Sequence, residues 1–491
     1  MTLTTLLLNI GIVALVLTLL TVFVFKKQKN ILMTFAQHFA GSLFVFSGWV
    51  KAIDPLGTAY KMEQYFAEFE ATFSDTWFSF ISPLFPWLSE YSTGFSIFMI
   101  IFEIVLGLML ILGSRPKFSS WAFFLLVLFF TALTGFTYLT GYVPSGENFF
   151  HFSSWAAYDP TSMRVTDCGC FGDFIKLEPR ISFLKDIFLL VPALFFIWKH
   201  SDMHQLFNKK VRSLTPILGT LALLLYCFSN FSWDLPHVDF RPFREGVDIA
   251  AQKQIEMDAQ ESVQVIGYKI TNKESGELVE LTVEDYLARY KEFPKAEWEL
   301  EQIKTEPEME PTKISDFELS DLDGNDVTEN ILGQEGYHFL IVSYKIPYTS
   351  EQEVTMMPDT TWMVDTVLIN DSISLVRSPG TITERSITTE TYEFPTRFMD
   401  RYAKLNQVLE AAEAAGIETH AVTGYAEPAM IDDFRHATQS AYPFYVADDI
   451  LLKTIVRSNP GIVLMKGGLI VKKWHIRKLP AFDEIQAEFL K

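Results

Sequence analysis

Two cysteines one residue apart, Cys168 and Cys170, stand in the run Thr166-Asp167-Cys168-Gly169-Cys170-Phe171-Gly172-Asp173, in a chain of 491 residues that holds only 3 cysteines. Such a pair suits thiol–disulfide chemistry. A disulfide across one intervening residue closes a small ring, tends to be strained, and is therefore easily reduced. Gly169 and Gly172 permit the backbone angles that such a ring requires. Asp167 and Asp173 should raise the thiol pKa values, which works against a fast nucleophile. Three roles stay open: an exchanging pair, a structural staple or pair of reduced thiols, and metal ligation, for which two thiolates without nearby histidines are a poor set. Cys227 reads as a buried apolar thiol. A second group is Glu103, near the centre of an apolar run, where a carboxylate marks a functional site by default. His38 lies in a neighbouring run, so a Glu103–His38 contact would carry a proton during thiol oxidation. The alternative is a protonated glutamic acid that only bridges helices.

The elements that must position these residues are apolar. Runs near 3–25, 31–53, 95–113, 118–141, 183–198 and 214–231 each approach the roughly 20 residues that a bilayer crossing needs. Lys26, Lys27 and Lys29 follow the first run, Arg115 and Lys117 separate the third from the fourth, and Lys199, Lys209, Lys210 and Arg212 separate the fifth from the sixth. Basic loops stay cytoplasmic. The N-terminus, the cysteine loop and everything after Phe231 should then share the opposite compartment, a bacterial periplasm, where disulfides persist. The start does not read as a cleaved signal peptide, because its basic cluster follows the apolar run. Residues 1–231 carry 15 Lys and Arg against 14 Asp and Glu, and the remainder 25 against 46. So acidic a second half excludes nucleic acid and anionic lipid as its partners.

Gly41, Ser47 and Gly48 should let another helix approach closely. Lys51 should snorkel to the outer surface, and Asp54-Pro55 should end the helix. The stretch from Gly41 to Lys61, with Glu103-Ile104-Val105-Leu106-Gly107 and the Asp-Cys-Gly-Cys-Phe-Gly-Asp loop, resembles DoxX-like and MauE-like membrane proteins over about residues 31–200. One departure is His38, where many relatives carry Arg. The resemblance implies a compact bundle of about four helices and a role in maturing a disulfide-rich exported enzyme beside a thioredoxin-like partner. It also implies a quinone as a candidate electron acceptor, although this chain displays no quinone signature.

Beyond Ser232 the chain becomes polar. Val263–Ile270 and Leu278–Val283 alternate around a polar turn that includes Glu274, which predicts a hairpin. Glu306–Pro311 reads as an acidic linker. From about 312 onward, buried strands at Phe339–Tyr344, Glu418–Val422 and Ile462–Met465 alternate with a helix over about Arg397–Ala415, closed by Gly416. This order resembles a thioredoxin-like domain. The family places Cys-x-x-Cys after its first long strand; here that position reads Lys345-Ile346-Pro347-Tyr348-Thr349-Ser350, so the domain cannot exchange dithiols itself. Pro460 matches the place of the family's cis-proline, which leaves Pro460 and Tyr348 as candidate binding residues. A Thr-rich insertion, about 351–394, predicts an added hairpin. The remaining histidines show no metal-ligand spacing.

The expected architecture is therefore multi-domain: an α-helical transmembrane bundle of about six helices plus a periplasmic α/β thioredoxin-like domain. The expected segments are an extra N-terminal helix (1–30), the DoxX/MauE-like bundle (31–200), a final crossing (201–231), a linker with a hairpin (232–311) and the terminal domain (312–491). Gly48, Lys51, Asp54, Pro55, Gly169, Gly172 and Asp173 form the structural motif around Cys168, Cys170 and Glu103. The expected function is an inner-membrane thiol–disulfide or maturation factor for exported proteins, working in the bilayer with a periplasmic client or separate thioredoxin. A non-enzymatic scaffold of an envelope complex is the alternative.

Overall fold

The computed structural model describes residues 2–490 except 166, 167, 274, 306, 370 and 371, and its contacts divide the chain into two units, Met1–Arg244 and Glu245–Lys491. The first unit is helical: α1 (Leu3–Leu19, continued as a π-helical segment to Val24), α2 (Ile31–Ile53), α3 (Pro55–Ser74), α4 (Leu84–Glu90), α5 (Ser92–Leu112), α6 (Pro116–Thr140), α7 (Pro179–Trp198) and α8 (Lys209–Phe228). Among the described residues six helices are long and apolar enough to cross a membrane, the last running on to Trp233, so this is a multi-pass membrane protein. The fifth span begins earlier than the hydropathy suggested, at Pro179, and carries Pro192 within it.

Local chemistry fixes the breaks. Asn30 accepts the Met33 amide and caps α2. Asp54 stops α2 and also caps α3, accepting the Gly57 amide at 3.1 Å with Pro55 at the first helical position. Gly113, at φ +66°, closes α5 in the left-handed conformation. The stretch between the second and third runs is thus mostly helical.

Helix α2 is the hub, packing on α1 and α5, while α6 packs on α7 and α5 also meets α3 and α8. Small residues set the α2–α5 distance. A Cβ on Gly41 would lie 2.7 Å from the Gly107 carbonyl, and one on Gly48 would lie 2.5 Å from Ile104 Cγ1 and 3.3 Å from the Ile100 carbonyl. Gly48→Leu should therefore force these helices apart and cost about 1–3 kcal/mol, read as a lowered unfolding midpoint in detergent. An unchanged midpoint would refute the close-packing account.

The second unit is sheet-rich. After α9 (Ile249–Glu261) come β1 (Val265–Asn272), β2 (Leu278–Thr282), α10 (Val283–Arg289) and β3 (Trp298–Lys304), whose strands form an antiparallel sheet in the order β2-β1-β3. The stretch expected to be a linker with one hairpin thus holds a third strand, and Glu256 of α9 accepts from the backbone amides of Thr312 and Ser315. The predicted turn residue Glu274 lies outside the described residues. Next come α11 (Thr328–Leu332), β4 (Tyr337–Ser343), the long hairpin β5 (Thr349–Ile369) and β6 (Ser372–Glu393), α12 (Thr396–Ala414), β7 (Glu418–Gly424), α13 (Pro428–Thr438), β8 (Phe444–Ala447), α14 (Asp449–Ile455), β9 (Gly461–Lys466), β10 (Leu469–His475) and α15 (Phe482–Phe489). The five-stranded sheet runs β10-β9-β4-β7-β8, with β4, β7 and β8 parallel and β9 antiparallel to β4. Its central strands β4 and β9 are buried except at one end residue each, Tyr337 and Lys466, as expected where both faces are covered. Phe339, Ile341, Ile462 and Leu464 meet Tyr402, Leu405 and Phe434 in the core.

Candidate functional site

The cysteine loop is held against the bundle by specific contacts. Ser47 Oγ of α2 donates to the Cys170 carbonyl at 2.8 Å, so Ser47 is an anchor rather than a mere small spacer. Gly169 (φ +60°) and Gly172 (φ +53°) adopt backbone conformations that glycine favours, and the Gly172 amide closes a turn on the Gly169 carbonyl at 3.2 Å. Phe171 is buried and bridges to Ile175, and Phe46 of α2 packs against Phe171 and Phe174. Thr166 and Asp167 lie outside the described residues.

Cys168 is buried and Cys170 half-buried. Cys168 and Cys170 line a cavity of about 480 Å³ set among α2, α3, α5, α6 and α7. Most of its wall is apolar, from Leu43, Phe44, Tyr65, Phe69, Met99 and Phe130 among others. Lys51, Glu103, Lys185 and Asp186 also line it.

These four form two buried ion pairs. Lys51 Nζ of α2 lies 2.5 Å from Glu103 Oε2 of α5, with both side chains almost fully buried, and 5.3 Å from the centre of the Phe130 ring. This corrects two expectations. Lys51 does not snorkel to the surface, and Glu103 pairs with Lys51 rather than His38. The reason is register: α2 and α5 run antiparallel, with Gly41 against Gly107 and Gly48 against Ile104. That places Lys51 about one turn from Glu103 and leaves His38 some two turns beyond it. Side chains tilt back toward the helix N-terminus, so Lys51 leans into the bundle. His38 instead meets Thr21 Oγ1 through Nε2 at 2.9 Å and stacks on His204 at 4.5 Å.

The second pair is Lys185 Nζ with Asp186 Oδ1 at 2.6 Å, and Thr134 Oγ1 of α6 donates to the other oxygen, Oδ2, at 3.0 Å. Both residues stand at the start of the fifth apolar run, and ionisable side chains inside a candidate crossing were the available signal for them.

Burial pushes the Cys170 thiol above its ordinary pKa; Lys185 and Lys51 oppose that push, while Asp186 and Glu103 reinforce it. Burial leads, and the carboxylates that reinforce it come from α7 and α5, while Asp167 lies outside the described residues. Asp173 itself is half-buried in the turn.

Two cysteines and two ion pairs thus stand at one largely apolar cavity, and part of the sequence that builds it matches a known family. Residues 29–145 match the family model described as methylamine utilisation protein MauE. No curated protein and no solved structure matches the chain. The MauE-matched segment contains Gly48, Lys51, Asp54, Pro55 and Glu103, whereas the cysteine loop, Lys185 and Asp186 lie beyond its end. Among the described residues no group of three or more His, Cys, Asp or Glu is arranged to hold a metal ion.

In the second unit, the Asn459–Pro460 peptide is cis and Pro460 is buried just ahead of β9. Asn459 Nδ2 donates to the Lys345 carbonyl at 2.7 Å, joining this turn to the loop after β4. In that loop Tyr348 is exposed and packs edge-on against Tyr392 at 5.5 Å.

Proposed function

We propose that this chain is an inner-membrane thiol–disulfide component that supports the maturation of exported proteins. The observation that carries the reading is the shared cavity: Cys168 and Cys170 line the same pocket as two buried ion pairs. In this reading each thiol loses its proton, an S–S bond forms between Cys168 and Cys170, and two electrons leave. The pocket residues fit a lipid-soluble quinone, with aromatic and aliphatic walls for a ring and tail and the Lys51 and Lys185 ammonium groups as donors to its oxygens. Such a quinone, when bound, supplies the acceptor for both electrons and both protons. Glu103 acts as a proton site, its carboxylate already held beside Lys51. The resulting disulfide is handed on by exchange, in which two client thiols become a disulfide and the cysteine pair returns to dithiol.

The Glu245–Lys491 unit serves as the binding partner of this chemistry. Its sheet order, with three parallel strands beside an antiparallel pair and a cis-proline ahead of β9, supports a thioredoxin-like reading. Since the chain has no cysteine after Cys227, that unit binds a periplasmic client or a separate thioredoxin through the Pro460–Tyr348 face. The distribution of basic loops supports a periplasmic location for it and for the cysteine loop.

Redox trapping in living cells tests the reading. Acid quenching followed by alkylation should find Cys168 and Cys170 divided between dithiol and disulfide, shifting on quinone depletion. The Cys168→Ser/Cys170→Ser variant should accumulate client proteins lacking their disulfides. Normal client disulfides in that variant would sink the proposal and leave the chain as a scaffold.

A further inference from the structure

We propose that Lys185 is a positioning residue whose ammonium group, fixed by Asp186 and Thr134, stabilises the thiolate of Cys170 inside the cavity. The inference rests on the thiol reading above and adds a residue to it. Adjacent residues on a helix point in different directions, so an ion pair between Lys185 and Asp186 is not what α7 imposes by itself. The lysine stem folds back to meet the carboxylate at 2.6 Å, although a lysine near the end of a crossing ordinarily extends to the headgroups. The carboxylate is held in turn from α6, because Thr134 occupies its second oxygen.

So fixed, the ammonium lies 5.8 Å from the centre of the Phe171 ring, the residue bonded to Cys170. Lys185, Asp186, Cys170 and Phe171 all line the same cavity. Side chains of α7 tilt toward its N-terminus, which is the end that leaves the cysteine loop. A cation aimed there, in surroundings of low dielectric, acts on a developing thiolate far more strongly than it would in water. The other charged groups facing the cavity are Lys61 on α3, Lys51 on α2 and Glu103 on α5, with Asp173 in the turn itself. Lys51 is paired with Glu103, and of the two lysines it has the weaker influence on the Cys170 thiol. Burial raises the Cys170 pKa, and Lys185 is the strongest opposing influence on it. The arrangement gives the ionised form of Cys170 a fixed cation within the cavity.

The test uses the full-length chain in detergent, in a Cys168→Ser background, with N-ethylmaleimide as the probe. Alkylation of Cys170 is followed by mass spectrometry as a function of pH. Removing the cation disfavours the thiolate, so Lys185→Met should move the midpoint of the rate profile upward by about one pH unit. At neutral pH, alkylation should then slow about tenfold, and Lys185→Arg should restore most of the rate. Because Lys185→Met leaves Asp186 without its partner, the profile is also taken for Lys185→Met/Asp186→Leu, which removes the whole pair. An unmoved midpoint in folded protein of both variants overturns the proposal. The profile is a property of the thiol and does not depend on client oxidation. If it moves while Cys168 and Cys170 never cycle in cells, the positioning role stands and the thiol-exchange function falls.

Discussion

Replacing Glu103 with alanine should destabilise the bundle severely, whereas replacing Glu103 and Lys51 together should not. The ion pair they form is almost fully buried at 2.5 Å. Removing one partner strands a charge in an apolar setting at a cost of about 3–5 kcal/mol, while exchanging both for apolar residues of similar volume is often neutral or stabilising. Lys51→Met and Glu103→Ala should each lower the unfolding midpoint in detergent sharply. Lys51→Met/Glu103→Leu should recover most of it, giving a large favourable coupling in the double-mutant cycle. The Phe130 ring beside the ammonium then packs against the methionine instead. Function separates what stability cannot. If Glu103 is a proton site, the well-folded double variant should still oxidise Cys168 and Cys170 slowly. Single variants as stable as the parent would show that the pair is not held as described.

The bundle was largely legible from sequence because its signals are local. Apolar runs of crossing length, Asp54-Pro55 at a helix break and glycines in the cysteine turn each depend on a few neighbouring residues. The stretch 351–394 declared itself as a hairpin through its Thr-rich, β-prone composition. What failed to show was register between distant helices. Glu103 stood near the centre of its own run and His38 in a neighbouring run, and that neighbourhood alone suggested them as partners. Only the antiparallel packing of Gly41 on Gly107 and Gly48 on Ile104 reveals that Lys51 is the nearer group. The same holds for Thr134 and Asp186, far apart in sequence and joined only when α6 packs on α7. In the second unit, β3 was missed because Trp298–Lys304 alternates weakly between charged residues and is barely buried on either face.

Acidification should loosen the sheet of the second unit through His338. This residue opens the buried run of β4, is fully buried, and meets the ring of His420 on β7 edge-on at 5.6 Å. Burial chiefly, and the neighbouring His420 next, bring its pKa down from 6.5 to about 4. The folded state therefore resists a proton that the unfolded chain accepts, so the unfolded state binds more protons between these two values. Stability is complete above about pH 6.5, declines as pH falls, and levels off below about pH 4. The gap corresponds to about 3 kcal/mol at roughly 1.4 kcal/mol per unit of pKa. Other groups titrate in this range, so the informative quantity is the difference between the parent and His338→Leu. Amide hydrogen exchange in β4 and β7 should accelerate as pH falls toward 4, after correction for the intrinsic rate, and should do so much less in the variant. Equal acid sensitivity of the two proteins would show that His338 gains its proton without opening the sheet.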